Sequence, residues 1–105
     1  GWAPYYLERL DEHFEHRPHE FPNLTKAPSA YFAEGRMFVS TEGEQHLPYA
    51  MDSLGAGNVV WASDYPHWDS DFPRSVSKVI VRDDLSDAQK RLLFETNPKR
   101  LYGWV

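Results

Sequence analysis

The stretch from Asn58 to Phe72, NVVWASDYPHWDSDF, constrains the fold most, because an apolar run in it stops at a carboxylate. Residues 59–62 are apolar, and Asp64 and His67 follow within a few positions. Barrels and open sheets built from α/β units carry their chemistry on side chains at the carboxyl ends of buried parallel strands. The stretch therefore predicts a strand from Asn58 to Ser63 that delivers Asp64 to a site.

A second apolar run predicts another strand of the same kind. Arg36 to Thr41, RMFVST, is partly β-branched and is followed by the carboxylate of Glu42. The segment Gln45–Leu54 is helical in pattern, and the Gly55-Ala56-Gly57 breaker ends it. A helix between two strands is the crossover that joins parallel strands, so the fold class is α/β.

Helical patterns account for most of the remaining chain, and no segment has the composition of a linker. Residues 1–105 are therefore interpreted as a single domain. The predicted helical segments are Pro4–His16 with an apolar face of Tyr6, Leu7, Leu10 and Phe14, Pro28–Ala33, Pro73–Val81, a helix with a capping box of Ser86 and Gln89, and a last turn, Lys99–Tyr102, capped by Asn97-Pro98 and ended by Gly103.

Composition excludes several classes of protein. The net charge is −5 with both signs interspersed, which argues against a nucleic-acid surface. No apolar run approaches the ~20 residues that span a bilayer, and there is no signal-peptide pattern. The chain has no cysteine, and a cytoplasmic enzyme is expected. Aromatic residues make up 15 %, including 4 Trp, which indicates surface covered by something else.

Two parallel strands cannot bury their own faces, so further strands are expected beside them. A partner chain or upstream sequence must supply them. The chain opens in the middle of an apparent loop that enters a helix, which favours truncation. We therefore expect a homo-oligomer or association with the missing part of the fold.

Three segments together resemble the C-terminal end of amidohydrolase-2-type proteins: Trp61–His67 (WASDYPH), Glu95–Gly103 (ETNPKRLYG) and the opening helix Gly1–His13. These proteins belong to a superfamily of metal-dependent TIM barrels. It includes hydrolases and non-oxidative decarboxylases related to aminocarboxymuconate-semialdehyde decarboxylase. The resemblance implies that this chain is the C-terminal portion of a (β/α)8 barrel, containing its last two parallel strands and their helices.

The resemblance also implies what the chain does not contain. The family has a His-x-His pair on the first barrel strand and a His on the fifth, which would lie before Gly1. A typical barrel needs about 250 residues. The fragment alone is therefore expected to be inactive, whereas the parent enzyme would use Zn or Mn to hydrolyse or decarboxylate a small carboxylated or cyclic substrate.

Asp64 is the predicted metal ligand and a catalytic residue. Carboxylate oxygen binds Zn²⁺ or Mn²⁺ well, and the resemblance implies that this aspartate also moves protons. The alternative is that Asp64 caps the turn that follows it. His67 is predicted to bind substrate or carry a proton, or else to pack beside Trp68. Glu42 is predicted to bind substrate or support a histidine, with a surface or loop-capping role as its alternative.

Other titratable residues have simpler interpretations. Asp69 and Asp71 lack the spacing of a calcium loop and are interpreted as a solvated acidic loop. His13, His16 and His19 are interpreted as the polar face of a helix and its end rather than as a metal site. Arg100 and Tyr102 are expected to close the last helix against the barrel base. The competing hypothesis for the whole chain is a non-catalytic, aromatic-rich interaction or oligomerisation module.

Overall fold

A two-stranded parallel sheet lies at the centre of the computed structural model, which describes residues 1–105. Strand β1 (Val39–Thr41) pairs with strand β2 (Val59–Trp61), with Val39 opposite Val59. Helix α3 (Leu47–Leu54) connects the two strands. The predicted order of strand, helix and strand and the parallel pairing are therefore confirmed.

Both strands are shorter than predicted. Strand β2 begins only at Val59, because residues Ala56–Asn58 form a 3₁₀ turn. The residues just before Val39 therefore have no extended segment to pair with. Arg36 is the last residue of a π-helical turn, Phe32–Arg36, in which Gly35 adopts a positive φ of +80°. The prediction of a strand that begins at Arg36 is therefore wrong by three residues, because local helical structure persists to that point.

Helix α1 (Trp2–His16) begins two residues before its predicted start. Its inner side follows Ala3, Leu7, Leu10 and Phe14, which are buried or half-buried. The prediction that Tyr6 belongs to this face is wrong. Tyr6 is 53 % exposed and lies on the flank of the stripe, where its ring packs edge-on against Trp2 at 6.0 Å.

The remaining helices follow their predicted positions with trimmed ends. Helix α3 starts at Leu47, not Gln45, because a turn closes first from the Glu44 carbonyl to the Leu47 N–H. A turn that ends at Arg74 likewise delays the next helix. The other helices are α2 (Pro28–Tyr31), α4 (Ser75–Ile80), α5 (Asp87–Arg91) and α6 (Asn97–Tyr102), and a short 3₁₀ turn spans Pro18–Glu20.

The start of α5 is the predicted capping box. The Gln89 N–H donates to the Ser86 hydroxyl at 3.2 Å, and the Ser86 N–H donates to the Gln89 side chain at 2.9 Å. The prediction of a separate last turn capped by Asn97 is wrong, because a π-helical turn, Leu92–Thr96, joins α5 to α6 without a break. Asn97 has helical dihedral angles, and its side chain turns inward instead.

One face of the sheet packs against the helices and forms the core. Leu47, Met51 and Leu54 recur along α3 at helical spacing and are all buried. They meet Val59 of β2 and Leu93 of the π-helical turn after α5. Ser40 and Val60, which are opposite each other in the sheet, lie outside this cluster. The architecture is thus one sheet face on a helical layer. None of the helices combines the length and the apolar character that a membrane span requires.

Candidate active site

The carboxyl ends of both strands lie at the same edge of the sheet, because the strands are parallel. Glu42 follows β1 directly, and Asp64 comes three residues after the end of β2. The pairing continues just past β2, where the Ala62 N–H donates to the Thr41 carbonyl at 2.9 Å. Each strand therefore presents a carboxylate at one edge, which is where α/β folds build their sites.

Asp64 lies where the chain reverses direction after β2. Its φ is +55°, and it is the one residue other than glycine with a positive φ. Aspartate tolerates this left-handed region better than most residues because its short polar side chain bonds locally. The His67 N–H donates to the Asp64 carbonyl at 2.9 Å and closes the turn. The turn brings the two side chains to the same side of the loop.

Asp64, His67 and Asp69 form a compact cluster of possible metal ligands. The His67 ring donates from Nδ1 to the Asp64 Oδ2 atom at 2.6 Å. One ligand atom from each of the three residues lies within 4.8 Å of the others. The Asp64 side chain is 36 % exposed and that of His67 is 68 % exposed, so the cluster is open to solvent. These three residues are referred to below as the loop cluster.

Two of the alternatives from the sequence do not hold. The Asp64 carboxylate accepts its hydrogen bond from the His67 ring and not from a backbone N–H, so it does not cap the following turn. Trp68 is 95 % exposed and offers His67 no packed surface. Both findings leave the polar atoms of Asp64 and His67 facing each other and the solvent.

Glu42 follows β1 at the same edge of the sheet as the loop that carries the cluster, and the charges of that cluster act on the Glu42 carboxylate. Partial loss of hydration raises the pKa of Glu42 above its ordinary value, and the negative charges of Asp64 and Asp69 raise the pKa further. The Glu42 carboxylate is exposed and makes no hydrogen bond, whereas the neighbouring Glu44 receives the Thr41 hydroxyl. The loop-capping role considered for Glu42 thus belongs to Glu44, and the Glu42 carboxylate has no hydrogen-bond partner in the chain.

Asp69, interpreted from the sequence as part of a solvated acidic loop, lies in the same ligand cluster as Asp64 and His67. The only feature of the sequence that pointed to this grouping was the spacing of positions 64, 67 and 69 across a turn that reverses the chain. Asp71, by contrast, pairs with Lys78 and takes no part in the cluster. His13, His16 and His19 are exposed, and His13 bonds the backbone carbonyl of Arg9 at 3.0 Å. The polar-face interpretation of these histidines agrees with their exposure.

The opposite end of β2 is fixed by the C-terminal helix. The Asn97 amide donates to the Ala56 and Val59 carbonyls at 2.7 and 2.6 Å, and Arg100 donates to the Gly57 carbonyl at 2.9 Å. Arg100 therefore has the structural role predicted for it. Tyr102 does not, because it is 64 % exposed and stacks on Trp104 at 4.9 Å instead of packing on the sheet.

The loop cluster has the donor chemistry of a transition-metal site. Carboxylate oxygen and imidazole nitrogen are the ligands with which proteins bind Zn²⁺ and Mn²⁺. The Nδ1 atom of His67 is occupied by its hydrogen bond to Asp64, which leaves Nε2 as the free ring nitrogen. The donor types present therefore fit a divalent cation.

Comparison with protein families shows which family the chain belongs to. The model of the family described as Amidohydrolase matches residues 11–104, which include both strands and the loop cluster. The chain belongs to the amidohydrolase family. No curated protein matches the chain. Membership supports a metal-dependent, hydrolase-type function in general, and the family typically binds divalent metals. The family fold is a TIM barrel, with which two parallel strands and their helices are consistent as one part.

Proposed function

We propose that this amidohydrolase chain forms one wall of the active site of a metal-dependent barrel enzyme. Asp64 is its metal ligand, and the substrate is a small carboxylated or cyclic molecule. The observation that supports the proposal is the carboxylate of Asp64 at the carboxyl edge of the sheet, hydrogen-bonded to His67 and beside Asp69. A bound Zn²⁺ or Mn²⁺ would supply an acidified water and polarise a substrate carboxyl or carbonyl group.

Each residue has a distinct task in this proposal. Asp64 offers one oxygen to the metal and keeps the other bonded to His67, which holds the carboxylate in one orientation. The exposed Nε2 of His67 can bond a substrate oxygen or transfer a proton. Glu42, exposed and unpaired at the end of β1, contacts the polar part of the substrate. Its charge disfavours an anionic group at that position and favours a hydroxyl or an amine.

The reaction type is part of the proposal. Hydrolysis is the general chemistry of the family, and non-oxidative decarboxylation, as in relatives of aminocarboxymuconate-semialdehyde decarboxylase, is its second form. In either reaction Asp64 would hold the metal and its carboxylate would handle a proton at the end of the strand, and the metal would supply Lewis-acid chemistry. A cytoplasmic location of the enzyme remains a prediction.

The partner of this chain is proposed to be the rest of the barrel, or a second copy of the chain. Both edges of the sheet lack a neighbouring strand, and a closed barrel has no such edges. The loop cluster supplies only a few ligands on an open surface. We therefore propose that the chain by itself does not turn over substrate.

The test is Asp64→Asn in the protein that contains the whole barrel. Asparagine also tolerates a positive φ, so the turn is kept while the charged ligand is lost. We expect metal affinity to fall at least about tenfold and metal-dependent turnover to be lost. Asp71→Asn is the matched control, because Asp71 lies in the same loop but pairs with Lys78. Unchanged metal content and turnover in Asp64→Asn would remove Asp64 from the mechanism.

A second candidate function is a non-catalytic interaction module. Its support is the set of exposed aromatic pairs, which are Trp2 with Tyr6, Tyr65 with Phe72, and Tyr102 with Trp104. This candidate predicts that the chain binds its partner equally well with and without divalent metal. Partner binding that survives both metal removal and Asp64→Asn would favour it over the enzyme.

A further inference from the structure

Arg82, between α4 and α5, uses every N–H group of its guanidinium. Two of them donate to Asp84 at 2.8 and 2.7 Å. The other three donate to the backbone carbonyls of Gly43, Glu44 and Gln45, at 2.7, 2.8 and 3.1 Å. A guanidinium has five N–H donors, so the hydrogen-bonding capacity of Arg82 is saturated. Its side chain is only 16 % exposed.

The three carbonyls belong to the turn 43–45, directly after Glu42. Their convergence on one cation orients three successive peptide units. Asp84 in turn fixes the plane of the guanidinium through its two bonds, in the bidentate geometry that arginine and carboxylates favour. The turn 43–45 is therefore held from outside by a residue almost 40 positions away in the chain.

Other contacts hold the same turn from its inner side. Gly43 has a φ of +105°, and a Cβ atom there would lie 2.5 Å from Cγ2 of Val79 on α4. The Gly43 N–H donates to the Thr41 hydroxyl at 3.1 Å, and that hydroxyl donates to Glu44. The turn therefore lies close against α4 at Gly43, and the Thr41 hydroxyl links its first two residues to the end of β1. Glu42, between Thr41 and the turn 43–45, has its backbone fixed on both sides.

We propose that Arg82 is a positioning residue that holds Glu42 at the carboxyl edge of the sheet, beside the end of β2. Arg82 does not touch the cluster, and it acts through the turn 43–45. The inference deepens the proposed function, on which the substrate-binding role of Glu42 rests. The placement of Glu42 itself can be measured without metal or substrate.

The absence of cysteine makes a direct measurement possible. Nitroxide labels on Glu42→Cys and Trp68→Cys report the distance between the end of β1 and the loop cluster, and Trp68 is 95 % exposed, so its label displaces no packed side chain. The labelled chain is diluted with unlabelled chain, so that labels on different copies do not contribute. Pulsed electron paramagnetic resonance then gives the distance distribution within one copy with Arg82, Arg82→Lys or Arg82→Met. Arg74→Met is the matched control, because the Arg74 side chain is exposed and makes no hydrogen bond.

With Arg82 or with the Arg74→Met control, we expect one narrow distance distribution. Arg82→Met should make it at least about twofold broader, because five charge-assisted hydrogen bonds are lost together. Arg82→Lys should be intermediate, since a lysine keeps the charge but not the planar fork. Thermal unfolding of the same samples separates positioning from stability.

A lower melting temperature with an unchanged distance distribution would overturn the proposal, because it would leave Arg82 with a merely structural role. If Arg82→Met does not fold, Arg82→Lys decides, and a distribution identical to the parent's would overturn the proposal. The result is independent of the Asp64→Asn experiment. A failure of the metal hypothesis would leave the label distances unchanged.

Discussion

Asp64 combines a rarely populated backbone conformation with the chemistry proposed for it. A positive φ costs most side chains roughly 1–2 kcal/mol, and a residue that keeps it at the end of a strand has a function or a turn to account for it. At Asp64 both reasons apply, because the turn that needs the positive φ also brings the His67 ring to the Asp64 carboxylate. Substitution by alanine would therefore mix backbone strain with lost chemistry, whereas asparagine separates them.

Glu42→Gln is predicted to stabilise the protein at neutral pH. The pKa of Glu42 is raised in the folded state, so protonated Glu42 adds to the free energy of unfolding. This added stability is fully present below the unfolded pKa of about 4.5 and is lost as the pH rises through the folded pKa. Glutamine removes the charge that is unfavourable above that range. Urea unfolding at pH 4 and pH 7 should show a gain for Glu42→Gln only at pH 7, and a small one, because water screens an exposed carboxylate.

Glu20 provides a control of the opposite sign. The hydrogen bond that Arg17 donates to Glu20, at 2.8 Å, lowers the pKa of Glu20. The charged Glu20 carboxylate therefore stabilises the fold above its unfolded pKa, and this stability is lost as the pH falls through the folded pKa. Glu20→Gln should therefore destabilise the protein slightly at pH 7. Equal effects of the two substitutions at pH 7 would contradict the placement of Glu42 beside other carboxylates.

At the scale of elements, strand β2 is fixed at its two ends by different contacts. Its carboxyl end leads into the tight turn at Asp64, and its amino end is bonded by the side chains of Asn97 and Arg100 from α6. The site therefore lies at one edge of the sheet, and the motif NPKRLYG acts at the other. A strand of three residues has few backbone bonds of its own, so these side-chain bonds contribute a large share of its fixation.

Asn97→Asp is predicted to be strongly destabilising. Asn97 is fully buried and its amide donates to two carbonyls, whereas a carboxylate would bring negative charge against both of them. Asn97→Ala should cost about 2–3 kcal/mol of unfolding free energy for the lost bonds and the unpaired carbonyls, and Asn97→Asp should cost more. Urea denaturation measures both. Asn23→Ala in an exposed loop is the control, and a similar cost there would contradict the stated role of Asn97.

At the scale of the whole molecule, the chain has more surface than a compact domain of its size. Its accessible surface is 7397 Å², whereas about 6,100 Å² is typical of a folded monomer of this mass. The radius of gyration is 15.5 Å, against about 13 Å for a compact domain of this length. The difference in area exceeds the ~800 Å² that one partner buries in a standard interface.

The chain on its own is therefore predicted to associate. Sedimentation velocity over a range of concentrations should show species larger than a monomer, and addition of the remaining barrel segment should convert them to a defined complex. The unpaired edges of the sheet are expected to drive this association, so Trp68→Ser, which removes an isolated exposed ring, should not change it. A concentration-independent monomer that unfolds cooperatively would contradict the prediction.

The α/β class, the parallel strand pair, the α5 capping box and Asp64 at a strand end were predictable from sequence alone, because each depends on residues adjacent in the chain. Alternating helical and apolar patterns, a Ser three residues before a Gln, and a carboxylate after an apolar run are local signals. The shortened start of β1 was not predictable in this way, because no extended segment faces the residues before Val39: the 3₁₀ turn Ala56–Asn58 precedes its partner strand.

Only the tertiary structure determined which distant groups meet. Asn97 bonds carbonyls about 40 residues away, Arg82 bonds the turn after Glu42, and Glu42 shares its electrostatic environment with Asp64. No periodicity or spacing contains these contacts, because they result from how the elements pack. The sequence by itself determined that Asp64 follows a buried strand within a few residues. The packing of the helices and turns determined what surrounds it: a hydrogen-bonded His67, a nearby Asp69, and Glu42 at the end of the neighbouring strand.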